Sequence, residues 1–396
     1  MKSIAVIHNM PFPEGFAPTV RLTAYSRGLI EAGCNLRIFC IKPKEVPGQV
    51  KNVQPSGNYL GIPYNYTSGT NIRSLNLATR IFFNMKGFWN SILQLAFMKR
   101  NEGLDVLLLI GPLGFFKEWL YFLATRLLGA KILQERTEYP FLTQKPSGWF
   151  RLQLWFYLHI SCKLYDGMLV ISQTLADYFN RYLSAKASVF VMPILVDAAR
   201  FDRRPNESQS FDYIAYCGSM ESNKDGIEYL LEAFKLISGE YDGIRLVLIG
   251  RTDFKGFGRL QELVTALGLP EKVIFTGRVD NEEMASWLKG AKMLVLARPK
   301  TIQSEANFPT KIGEYLATGN PVLTTRVGAV AAHLIDQENA FLAEPGDAED
   351  FARKMAWVLE HPEQAGAAGL KGRALAYTVF NYKVQAERLL VFLENL

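Results

Sequence analysis

Short apolar runs without polar alternation recur along this chain, each leading through a loop into a helical pattern. In the first half they fall at residues 4–8, 36–41, 105–110, 131–134, 167–171 and 188–192, and in the second at 213–217, 245–249, 272–275, 293–296 and 321–324. A strand that is apolar on both faces has both faces covered, as in a parallel sheet clothed by helices. The opening shows the unit well: the run at 4–8, a loop rich in Pro and Gly, a helical pattern over 19–32 stopped by Gly33, then the run at 36–41. Strand, helix, strand in that order is the start of a doubly wound α/β domain.

The series breaks once. Residues 199–210 are polar (Arg203-Arg204-Pro205-Asn206-Glu207-Ser208 at their centre), and the rhythm then restarts. A chain of 396 residues exceeds one ordinary domain, so two Rossmann-like domains facing across a cleft are expected. The expected division is 1–200, 201–376, and a last helix in 377–396 packing back toward the amino-terminal domain. The first ten residues read as a buried strand rather than a signal peptide, because the apolar run is short and no small-residue cleavage site follows.

The net charge of +6 conceals an asymmetry. Residues 1–200 hold 22 Lys+Arg against 11 Asp+Glu, a net of +11; residues 201–396 hold 22 against 27, a net of −5. The halves therefore face different partners or surfaces. No nucleic-acid recognition motif accompanies the basic half, which argues against nucleic acid as its partner. Cys34, Cys40, Cys162 and Cys217 show no CxxC spacing, and four scattered histidines suggest no metal centre. Reduced thiols and a cytoplasmic setting are expected.

Two stretches of the acidic half carry chemistry. Between the run at 213–217 and the next helix lies Gly218-Ser219-Met220-Glu221-Ser222-Asn223-Lys224-Asp225-Gly226. Gly218 permits a tight turn at the carboxyl end of the sheet, where open α/β sheets bind ligands, and Lys224 at the following helix start is either a point charge for a diphosphate or a solvated lysine. The second stretch is Asn307-Phe308-Pro309-Thr310-Lys311-Ile312-Gly313-Glu314-Tyr315 and onward through Gly319-Asn320 into a strand. Pro309 suits a first helical turn, whose free N–H groups can hold phosphate oxygens. Glu314 sits amid Ile312, Leu316 and Ala317 and needs a partner: ribose hydroxyls, or a neighbouring Lys or Arg.

These two stretches resemble the donor domain of family-four retaining glycosyltransferases with the GT-B fold. The likeness takes in Gly250, Val273 to Val279, Trp287 to Leu296, Asn339 to Leu342 with Pro345-Gly346-Asp347, and, less specifically, Cys162 to Ser172 and Val191 to Phe201. The resemblance implies that Glu314 binds the donor ribose, that Lys224 neutralises the diphosphate, and that Asn307, Phe308, Pro309, Thr310 and Lys311 cradle phosphate or sugar. It departs at two positions. Relatives usually carry Arg where Ser219 stands, and many carry Glu where Ala306 stands, Glu305 being one place off. Arg251 and Arg278, each just after a strand-end glycine, are the candidates for the missing cation. The resemblance further implies transfer with retention and no metal cofactor, leaving-group charge being met by preorganised cations and helix-start amides.

In the basic half, the resemblance places Gly15 and Phe16 toward the acceptor, a glycan or lipid-linked sugar. Glu138, in the loop after the run at 131–134, is either an acceptor contact or an ion-paired loop residue. Stretches around Arg80–Trp89, Phe115–Leu123 and Trp149–Tyr157 mix aromatic and basic residues; none is long enough to span a bilayer, and they fit either an anionic membrane surface or helices covering the sheet. Cell-surface polysaccharide or glycolipid synthesis is the expected setting. A nucleotide-sugar-binding protein with impaired turnover and a sugar-nucleotide epimerase of the same fold are the alternatives.

Overall fold

The computed structural model describes residues 1–142, 147–202, 209–221 and 223–396; most of the polar stretch expected as a linker (203–208) lies outside the described residues. The chain forms two compact units, Met1–Leu195 with Tyr382–Leu396, and Val196–Asn381.

In the first unit the elements run β1 (Ser3–His8), α1 (Ala17–Glu31), β2 (Asn35–Cys40), β3 (Ser56–Tyr59), β4 (Ile62–Tyr66), α2 (Leu77–Asn101), β5 (Val106–Ile110), α3 (Phe115–Leu127), β6 (Lys131–Arg136), α4 (Gly148–His159), β7 (Gly167–Val170), α5 (Gln173–Asn180) and β8 (Ser188–Val191). The sheet order is β3-β4-β2-β1-β5-β6-β7-β8, parallel except for the β3–β4 hairpin. Every residue of β1 and β5 is buried, as their unbroken apolar sequences require. The hairpin has no strong sequence signal: its turn places Leu60, a branched residue, at positive φ, and Pro63 interrupts the second strand.

The second unit runs β9 (Asp212–Cys217), α6 (Ile227–Ile237), β10 (Ile244–Ile249), α7 (Phe257–Ala266), β11 (Val273–Gly277), α8 (Asn281–Gly290), β12 (Met293–Leu296), α9 (Ile302–Ala306), α10 (Thr310–Thr318), β13 (Val322–Thr325), β14 (Phe341–Ala343), α11 (Ala348–Glu360) and α12 (Pro362–Tyr377). Its sheet is β11-β10-β9-β12-β13-β14, all parallel. The order reverses between β9 and β12. At such a switch point adjacent loops leave in opposite directions and open a crevice at the carboxyl edge. The chain then rejoins the first unit as α13 (Tyr382–Glu394), which lies on α1. Contact there is close: a Cβ on Gly28 would collide with Ala386, Lys383 pairs with Glu31 at 3.1 Å, and the Arg27 guanidinium stacks 5.0 Å from the Tyr382 ring centre.

Candidate functional site

The switch point of the second sheet gathers most of the residues singled out in the acidic half. β9 ends at Cys217, and its neighbours end level with it: Gly218 donates its N–H to Ile249 (2.9 Å) and Gly250 donates to Gly277 (3.1 Å). Ser219, Arg251 and Arg278 therefore follow one another along a single edge. All three are exposed. Arg251 is held by Asp253 through its Nε at 2.8 Å, and Arg278 adds its charge to those that keep the Asp253 carboxyl below the ordinary range.

Beyond Gly218 the chain turns back over α10. A Cβ on Gly218 would run into the Lys311 ammonium and the Tyr216 hydroxyl, so a side chain here would push Lys311 off its present position. Gly226, at φ +70°, caps α6 with its Cα against the Ala297 carbonyl, and no side chain caps the helix. Between the glycines, Asp225 is the anchor. Its Oδ2 accepts from Lys311 Nζ (2.5 Å) and from the Tyr216 hydroxyl (2.8 Å), and its Oδ1 lies 3.9 Å from the buried Arg298 guanidinium. Burial acts to raise this carboxyl, but Lys311, Tyr216 and Arg298 together hold it below the usual carboxylate range. Arg298 also donates to the Lys224 carbonyl at 3.4 Å. From the other side, the Tyr315 hydroxyl of α10 accepts the Cys217 N–H at 2.7 Å. The turn at Gly218–Gly226 and the start of α10 are thus stapled together, with the Lys224 side chain left exposed at the mouth.

Glu314 lies one position before Tyr315 on α10. Its carboxylate meets the Arg200 guanidinium at 3.4 Å, both side chains remaining part-exposed. Burial raises the Glu314 carboxyl above its ordinary value, with Arg200 and Lys311 opposing. Of the two partners considered for Glu314, the fold supplies a cation, and it comes from 114 residues away rather than from α10. The Cys217 thiol beside it is pushed up to about 12 by burial and is inert as a nucleophile at neutral pH.

The stretch from Asn307 to Thr310 enters α10 in extended conformation, with Pro309 as the cap and no side-chain cap bond. The Phe308 side chain is turned into the core, stacked on His333 (centroids 5.5 Å apart) and edge-on to Phe380, so only its backbone faces outward. Ala306 is buried, and the residue before it, Glu305, belongs with it to the short helix α9. The Lys311 ammonium serves the Asp225 pair and sits 4.6 Å from the Tyr216 ring centre.

Sequence reasoning did not assign Asp225, Arg298, Tyr216, Tyr315 or Arg200. One signal was present: Arg298 directly follows the apolar run of β12, where a charge at a buried strand end needs a partner.

In the first unit, Gly15 and Phe16 form an exposed corner before α1, with Phe16 at the cap position. A Cβ on Gly15 would strike the Thr19 hydroxyl, which donates to the Pro11 carbonyl at 2.9 Å and contacts His8 Nε2 at 3.3 Å. Burial lowers the His8 imidazole to about 3, so it is neutral at physiological pH. Glu138 lies half-buried after β6. β6 runs on to Arg136, two residues past the apolar run, and Glu135 is buried within it against Arg21 (2.6 Å) and the Tyr25 hydroxyl (3.0 Å). Among the described residues no cluster of three or more His, Cys, Asp or Glu is placed to hold a metal ion.

Residues 212–361 match the family model described as glycosyl transferases group 1. The MMP alpha-(1->4)-mannosyltransferase of Mycolicibacterium hassiacum is 25% identical over 227 residues, 57% of this chain and 53% of that one. The chain thus spans about half the length of this curated relative. Among solved structures, the sucrose-phosphate synthase of Thermosynechococcus elongatus superposes with a TM-score of 0.75 at 17% identity, covering 100% of this chain and 99% of that one. Anabaena Alr3699/HepE, solved in complex with UDP-glucose, gives 0.74 at 12% identity, with 100% of both chains covered. These likenesses establish the two-domain GT-B fold.

Proposed function

With a carboxyl-terminal domain of the group 1 glycosyl transferase family on a GT-B fold, this chain is, we propose, an enzyme that moves a sugar from a nucleoside-diphosphate sugar onto a glycan or lipid-linked acceptor. The observation that carries the reading is the staple of Lys311 to Asp225 and Tyr315 to Cys217. It fixes a cation-bearing turn and a carboxylate-bearing helix against one another at the switch point, which supports one ligand being shared between them.

In this reading Lys224 and the free amides at the starts of α6 and α10 meet the diphosphate, and Arg251 or Arg278 stands in for the arginine that Ser219 replaces. Glu314 exchanges Arg200 for the two ribose hydroxyls. As the bond from the anomeric carbon to the diphosphate oxygen breaks, the negative charge stays on the diphosphate, where these groups stabilise it. The acceptor hydroxyl attacks from the same face, giving retention, and its proton leaves with the departing phosphate. The cationic groups take the role a metal would otherwise fill, so no divalent cofactor is needed. The amino-terminal domain, with Gly15, Phe16 and Glu138, receives the acceptor. The setting is the cytoplasm and the product a cell-surface polysaccharide or glycolipid. The solved neighbour holding UDP-glucose supports the donor class.

The test is a thermal-shift series with uridine, guanosine and other nucleoside diphosphates, with and without magnesium, followed by transfer from the binding donor to a lipid extract. Stabilisation by none of them would overturn the reading. A second reading, a donor-binding protein with impaired turnover, is favoured by Ser219 and by the engagement of Arg251 with Asp253; stabilisation without hydrolysis or transfer would select it.

A further inference from the structure

The layer of helices α2, α3 and α4 covers one face of the first sheet: Phe88 meets Tyr121 at 5.2 Å between ring centres, and Phe115 meets Phe156 at 5.6 Å. Its inner side is ordinary core. Its outer side is not ordinary surface. On α2, Ile81, Phe82 and Met85 are exposed; on α3, Phe116 and Trp119; on α4, Trp149. Phe82, Phe116 and Trp149 are 60%, 78% and 69% exposed. From Leu77 to Lys86 no residue of α2 is buried, so its first turns project beyond the layer. A monomer rarely leaves so many large apolar side chains together in water.

Charge identifies the occupant. No Asp or Glu occurs between Glu45 and Glu102, and the three helices carry a single acidic residue, Glu118. That carboxylate is buried and accepts from the Leu113 N–H and the Tyr165 hydroxyl, so the outer face bears no negative charge. Arg80, Lys86 and Arg151 stand among the aromatic groups with no carboxylate partner among the described residues. All three helices begin at the carboxyl ends of parallel strands, the edge where Lys42, Lys44 and Lys117 also gather. There burial, and after it the charge of Lys42, lower the Lys44 and Lys117 ammonium groups. A second copy meeting this face with its own would bring the same positive charge and be repelled. An anionic bilayer supplies both what the aromatic groups need and what the cations need.

We propose that the outer face of α2, α3 and α4 docks on an anionic lipid surface, with the first turns of α2 and the side chains of Phe116 and Trp149 entering the headgroup region. No described helix is long and apolar enough to cross a membrane; the contact proposed is with the surface. The inference stands apart from the donor site, which lies in the other unit.

The test is co-sedimentation of the full chain with vesicles of phosphatidylcholine alone and of phosphatidylcholine with phosphatidylglycerol. The expected result is binding to the anionic vesicles only, a blue shift of tryptophan emission, and weakening by added salt. The triple variant F82S/F116S/W149S loses at least about tenfold in partitioning, at the several-carbon burial each side chain provides. The variant R80Q/K86Q/R151Q loses about fivefold per removed charge near the surface. A control pair on the other unit, L236S/L370S, binds as the wild type does. Every variant keeps its thermal transition and its shift with nucleoside diphosphate, which separates a failed docking face from a failed fold or donor site. Absence of wild-type binding, equal binding to neutral vesicles, or a concentration-dependent dimer that the triple variant abolishes would each overturn the proposal.

Discussion

Lys311 and Asp225 are 86 positions apart in sequence and 2.5 Å apart in the fold, joining the first turn of α10 to the loop that follows β9. The pair is largely buried on both sides and shares its carboxylate with Tyr216 and, at longer range, with Arg298. Its geometry decides whether Lys224 and Glu314 can address one ligand.

Breaking this pair is costly in two ways. Asp225→Ala leaves the Lys311 ammonium without its partner and destabilises the protein by about 3 kcal/mol, the scale for removing one member of a buried pair. Because Asp225 titrates below the ordinary range, its contribution is present at neutral pH and lost as pH falls through that lowered value. Denaturant unfolding of wild type and variant should diverge most near neutrality and converge in acid, and nucleoside diphosphate affinity should fall by about tenfold or more as the turn loosens.

Glu314 titrates in the opposite direction. Its raised carboxyl favours the folded state at low pH, and that advantage is lost as pH rises through the raised value. Glu314→Gln should therefore gain stability relative to wild type as pH increases, while losing about tenfold in affinity for a ribonucleoside diphosphate, and much less for the deoxy analogue. Thermal melts across pH and calorimetric titration check both halves. Equal losses for ribose and deoxyribose ligands would remove Glu314 from the ribose site.

Lys224 is exposed, so Lys224→Ala should leave the thermal transition within about 0.5 kcal/mol of wild type. Turnover should drop by about a hundredfold, the cost of one preorganised group facing leaving-group charge. Chelation of divalent ions should leave the wild-type rate unchanged. Parallel rates for Arg251→Ala and Arg278→Ala identify which of them stands in for the cation missing at Ser219.

In the first unit, Arg21 donates to Glu135 and to the carbonyl of Met192 (2.7 Å), tying α1 to the ends of β6 and β8. Glu135→Ala strands a buried guanidinium and should cost about 3–5 kcal/mol. The pair Arg27–Glu31, open to water on the same helix, should be worth under about 1 kcal/mol when Arg27 is truncated. Chemical denaturation of the two variants makes the comparison directly.

Much of the architecture was legible along the chain, because a strand buried on both faces must be apolar throughout. The runs at 4–8, 105–110 and 293–296 are β1, β5 and β12, with ends displaced by a residue or less. The β3–β4 hairpin was not legible, since its turn relies on a leucine at positive φ that no local preference favours. The end of β6 was not legible either: the apolar run stops at Gln134, yet the strand continues through Glu135 to Arg136 because Arg21 from α1 keeps Glu135 inside.

The sequence by itself determined where strands and helices alternate, which glycines end strands, and which residue types stand at the carboxyl edge of the second sheet; these follow from local periodicity and turn chemistry. Tertiary structure alone decided the partners. Arg200 facing Glu314, Asp225 holding Lys311, and Glu118 turned inward to leave a wholly cationic helix layer each depend on residues distant in sequence. Charge pairing is a matter of distance in space, and a chain's order does not encode it until the sheets have formed.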